Sequence, residues 1–108
     1  MKAEACEVAA FRLTELDGLD PVDVYLRDLG PGKGILTISC FSSAWSSWWG
    51  GMGNDTPIRK FLAQCSPDYL TGCLLRGDLF HERLTKKQRD YLYRICQAVI
   101  SFAKGGPQ

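Results

Sequence analysis

One histidine, His81, serves the whole chain, so a Ser-His-acid triad or a histidine-based metal site would have to be built around that residue. The serines at Ser39, Ser42, Ser43, Ser46 and Ser47 carry no Gly-x-Ser-x-Gly elbow. The five cysteines, an odd number, form no Cys-x-x-Cys pair. Cys65, Cys73 and His81 are separated by seven residues each, whereas zinc sites usually begin with a cysteine pair two to four apart. Gly30-Pro31-Gly32-Lys33-Gly34 lacks the spacing and the hydroxyl residue of a phosphate loop and leads into a strand pattern, so it reads as a hairpin turn. The carboxylate pairs Asp17/Asp20 and Asp23/Asp28 need no explanation beyond solvation. None of the roles of an active-site checklist is filled, and the expectation is a protein without catalysis, metal or cofactor.

Also missing is any run approaching the ~20 apolar residues of a membrane span, and Met1 to Glu7 lacks the apolar core of a signal peptide. A cytosolic protein is expected, with its cysteines reduced and mostly buried.

What the chain does have is ordinary globular composition, 45% hydrophobic and 23% charged, over 108 residues. That suffices for one hydrophobic core and predicts a single domain, residues 1–108. The net charge of +1 conceals an asymmetry: residues 1–55 hold 4 Lys/Arg against 8 Asp/Glu, and residues 76–108 hold 7 against 3.

From Val8 to Leu13, and again from Val22 to Arg27, apolar residues alternate with more polar ones, as on half-buried strands. The turn residues Asp17-Gly18-Leu19-Asp20-Pro21 lie between. After Gly30–Gly34 a third alternation places Leu36, Ile38 and Cys40 on one face. Thr56-Pro57 offers a helix cap followed by proline, with a short helix from Pro57 to Gln64. Ser66-Pro67 starts a second, which breaks near Gly77. Thr85-x-x-Gln88 is a capping box opening a helix of about 18 residues, whose Leu92, Ile95, Val99 and Phe102 share a face and which Gly105-Gly106-Pro107 ends. The sum is an α+β fold: a three-stranded antiparallel meander followed by two short helices and a long C-terminal helix packed on the sheet.

Two groups of residues are candidates for binding. The segment Cys40 to Asp55 holds all three tryptophans and a glycine-rich end. Trp45, Trp48 and Trp49 have the i, i+3, i+4 spacing of one side of a helical turn. They either cap the open end of the sheet against the last helix or, with Met52 and Asp55, offer an exposed hot spot to a partner. Arg83, Lys86, Lys87 and Arg89 gather near the start of the final helix, where the dipole disfavours cations, and either border a nucleic acid or form a solvated face.

The ordered stretches Leu19-Asp20-Pro21-Val22, Gly30–Gly34, Ile38-Ser39-Cys40-Phe41 and Trp45-Ser46-Ser47-Trp48-Trp49-Gly50-Gly51-Met52-Gly53 resemble a family of small phage and prophage proteins of unassigned function. The resemblance covers about residues 12–75 and continues weakly through Phe61 and Asp68-Tyr69-Leu70; it brings no catalytic residues. It implies a protein that works in the cytoplasm of a bacterial host by binding and blocking a host protein complex, a CRISPR-Cas effector among them. Nucleic acid is the second choice of partner, self-association into a homodimer is left open, and no membrane partner is expected.

Overall fold

The computed structural model describes residues 1–77 and 84–105, so His81, Arg83 and the end of the expected Gly-Gly-Pro stop lie outside the described residues. The described elements run β1 (Ala9–Leu13), β2 (Val22–Gly30), β3 (Lys33–Cys40), β4 (Ser43–Trp49), α1 (Ile58–Ala63), α2 (Pro67–Arg76) and α3 (Lys86–Ala103). All four strands form one antiparallel sheet in the order β1-β2-β3-β4.

The meander thus has four strands, not three, and the extra one is the tryptophan segment itself. Phe41 and Ser42 close a two-residue hairpin between the paired Cys40 and Ser43. Beyond it the chain alternates with period two, so Trp45 and Trp49 face one way and Trp48 the other. The helical-turn spacing is replaced because a strand paired along the whole of β3 satisfies its backbone, and tryptophan suits a half-buried pleat. The hairpin lacks the usual turn signal: Phe41, not glycine or asparagine, takes the first turn position with φ 54.

Register gives the sheet two unlike faces. Val22, Val24 and Leu26 of β2 and Leu36, Ile38 and Cys40 of β3 are buried, and with the buried faces of the helices they form one core cluster. From α3 it receives Leu92, Ile95, Cys96, Val99, Ile100 and Phe102, the stripe expected from the sequence. Each of the larger aliphatic side chains gains about 1.5–3 kcal/mol by leaving water. Phe11 of β1 meets Phe102 of α3 with ring centroids 4.7 Å apart, and the Arg59 guanidinium of α1 lies 4.4 Å over the Phe102 ring.

The helix starts combine local and distant capping. The Ser66 hydroxyl accepts from the Tyr69 amide at 3.1 Å, and Thr85 and Gln88 make both bonds of the capping box. The first helix differs from expectation. Pro57, not Thr56, occupies its cap position and no cap side chain serves it; Asp28 at the far end of β2 accepts from the Ile58 amide at 2.8 Å instead. A carboxylate thirty residues upstream thereby ties α1 to the sheet. Asp28→Ala is expected to cost about 1 kcal/mol, the usual cost of losing an N-cap, and Asp28→Asn less; urea denaturation midpoints measure both.

The two edges of the sheet are treated differently. Along β4, Gly77 at the end of α2 is pressed against the strand so closely that a Cβ there would stand 2.6 Å from the Ser46 carbonyl oxygen. Among the described residues, β1 pairs with β2 alone.

Candidate functional site

The helices cover one face of the sheet, and among the described residues nothing packs over the other. Cross-strand pairing arranges that open face in rows: Arg27, Ile35 and Trp48; then Ala10, Tyr25, Thr37 and Ser46; then Arg12, Asp23, Ser39 and Ala44. Trp48 is 62% exposed, a value that makes it a surface ring and not a core one. Its indole lies over Gly50, where a Cβ would come 2.5 Å from Cη2, so the missing side chain at Gly50 sets the ring's position. At the other corner Arg12 grips Asp23, Nε to Oδ1 at 2.7 Å and Nη2 to Oδ2 at 3.2 Å. That hydrogen bonding holds the Asp23 carboxyl below its ordinary pKa and raises Arg12. Both side chains face solvent, so the pair orders this corner of the face more than it stabilises the fold.

The tryptophan segment therefore divides. Trp49 is buried: its ring stands 5.3 Å from Phe61 and its Nε1 donates to the Tyr69 hydroxyl at 3.1 Å. Met52 is buried as well, and its amide donates to the Gly32 carbonyl at 2.8 Å. These two serve the fold and do not stand with Trp48 on a surface. Trp45 is half-buried against the core, and Asp55 is exposed in a turn at φ 51. Tyr25, Ile35 and Arg27 share the open face with Trp48 and lie outside the two groups of binding candidates. The period-two alternation that marks the second and third strands is the signal that finds them.

A cleft of about 470 Å³ lies at the other end of β4, between the hairpin tip and the start of α3. Asp20, Cys40 to Ser43, Trp45, Leu84, Lys87, Gln88 and Tyr91 line it. The Tyr91 hydroxyl donates to Asp20 Oδ2 at 2.8 Å and accepts from the Asp20 amide at 3.0 Å. Phe41 is 79% exposed at the rim. A neighbouring groove is lined by Lys86, Lys87, Asp90, Tyr91 and Arg94. Of the basic candidates, Lys86 and Lys87 stand at this groove, while Arg89 is exposed elsewhere on α3 and Arg83 is outside the described residues.

The cysteines are all free: Cys40, Cys73 and Cys96 buried, Cys65 half-buried and Cys6 exposed. Burial pushes the Cys65 and Cys96 thiols up to about 11, which keeps both protonated and unreactive near neutrality. At pH 8, an aromatic disulfide reagent is expected to modify Cys6 of the folded protein quickly. Cys40, Cys73 and Cys96 should react only on unfolding, and Cys65 slowly, at a rate that climbs as pH approaches 11; absorbance of the released thiolate follows each phase. Among the described residues, no group of three His, Cys, Asp or Glu side chains is placed to hold a metal ion, and no helix is long and apolar enough to cross a membrane.

Comparison with known proteins gives one finding. A family model described as a phage family matches residues 1–94, which takes in the whole sheet, α1, α2 and the first half of α3. No curated protein and no solved structure matches the chain.

Proposed function

Because the chain belongs to this phage family, over residues 1–94, we propose that it is a non-enzymatic interaction protein that binds and inhibits a host defence complex through the open face of its sheet. The supporting observation is the exposure of Trp48 within a row of Arg27, Ile35 and Trp48. A large ring beside an aliphatic side chain, with a guanidinium one strand further along the same row, has the make-up of an interface hot spot, in which tryptophan, tyrosine and arginine are enriched. A sheet face of this kind also offers a flat, pre-formed docking surface that loses little side-chain freedom on binding. The CRISPR-Cas effector is the host complex that the sequence resemblance implies, and the anti-CRISPR role is part of this proposal.

The test is co-purification of the tagged protein from its bacterial host beside a Trp48→Ala variant. A stoichiometric host complex is expected with the original chain. Its affinity should fall about thirtyfold or more on removal of the ring, the scale of a hot-spot residue, while the circular dichroism spectrum and melting temperature stay unchanged. A host complex held equally well by the variant would remove the open face from the mechanism, and recovery of no host protein would overturn the reading.

A further inference from the structure

On the helix side of the sheet, three aromatic residues from separate elements converge on the cleft beside the hairpin tip: Phe41 from the turn, Trp45 from β4 and Tyr91 from α3. Its volume, about 470 Å³, falls in the ~300–1,000 Å³ range of sites that hold small organic groups. Tyr91 is held by two hydrogen bonds to Asp20, so one wall of the cleft is set before anything binds, and the Asp20 carboxylate is engaged by the same hydroxyl. Phe41 keeps a large apolar ring in solvent on a left-handed backbone, a combination with no packing benefit inside the chain.

Charge next to the cleft selects the occupant. Lys87 belongs both to the cleft and to the adjoining groove, where Lys86 and Arg94 join it, three cations against the carboxylates of Asp90 in the groove and Asp20 in the cleft. The first turn of α3 contains no acidic residue, although the helix dipole favours one there, and holds these two lysines instead. An aromatic slot beside a cationic track is the arrangement that takes a base by stacking and its phosphates by charge.

We propose that this cleft binds single-stranded nucleic acid, with an unpaired base seated among Phe41, Trp45 and Tyr91 and the adjoining phosphates on Lys86 and Lys87. The site lies on the opposite side of the sheet from Trp48, so it stands or falls independently of the open-face reading.

Fluorescence anisotropy of labelled oligothymidylate and oligouridylate with the full chain tests it, with a DNA duplex of the same length and free thymidine monophosphate as competitors. Binding of the single strands is expected to weaken steeply with salt. Phe41→Gly, which removes the ring and suits the positive φ, should lower affinity about tenfold or more, and Lys86→Glu/Lys87→Glu should abolish it, with the melting temperature held and with Trp48→Ala without effect. No binding at low salt, equal binding of the duplex, or insensitivity to Phe41→Gly would overturn the proposal. Competition by the mononucleotide as effective as by the oligomer would replace the strand with a free nucleotide and overturn it as well.

Discussion

Trp49→Ala is expected to remove a large part of the stability of the fold, about 3–5 kcal/mol, the range for truncating a buried large aromatic. The side chain lies at the end of β4 where the sheet meets α1 and α2, touching Phe61 at 5.3 Å and donating to Tyr69 at 3.1 Å. Alanine would leave a cavity between three elements and remove the hydrogen bond to the Tyr69 hydroxyl. Small domains hold only about 5–15 kcal/mol in all, so the melting temperature should drop by roughly 15 °C or more. Trp49→Phe separates the two contributions, since it keeps most of the ring and loses the hydrogen bond, for about 1–2 kcal/mol. Thermal denaturation of the pair beside Trp48→Ala is decisive: equal losses at positions 48 and 49 would contradict the division of the tryptophans between surface and core.

Gly32→Ala is the second large effect, about 2–5 kcal/mol. Gly32 has φ 68, where an L side chain carries ~1–2 kcal/mol of strain, and a Cβ there would stand 2.5 Å from the Gly53 carbonyl oxygen. That neighbour is backbone and cannot rotate away, so the chain itself must shift, at a further ~1–3 kcal/mol for overpacking. The Met52 amide bonded to the Gly32 carbonyl would move with it. Gly105→Ala is the control, because its φ of 83 imposes similar strain while nothing lies within 4 Å. Its expected cost is only ~1 kcal/mol, and chemical denaturation curves of the two variants isolate the contact from the conformational strain.

These two variants also explain a sequence pattern that reads ambiguously by itself. Within Gly30-Pro31-Gly32-Lys33-Gly34 and Gly50-Gly51-Met52-Gly53, which stand far apart in the chain, Gly32 and Gly53 are paired: there the hairpin turn and the segment leaving β4 press backbone against backbone. The α+β class, strands β2 and β3, the Ser66-capped helix and the whole of α3 were legible, because each has either strict alternation or a cap with a specific partner. The fourth strand was not, for its turn uses Phe41 where glycine or asparagine announces a hairpin, and its tryptophan spacing also fits a helix. The cap of α1 was hidden for a different reason. Its acceptor, Asp28, is remote in sequence, and no local pattern reports a long-range hydrogen bond. At the candidate site, Trp48 was legible as an aromatic worth testing, but which of three tryptophans points outward depends on register, and register depends on the unseen hairpin.

The unequal edges of the sheet set a limit on growth. At β4, Gly77 blocks the approach of another strand to Ser46, while β1 leaves its outer side unpaired by other strands among the described residues. A sheet that can be extended on both sides adds copies of itself without end, as fibres do; one that can be extended on a single side is finished by the first addition. Strand-to-strand joining of two copies of this protein would use up both free borders and stop at a closed pair.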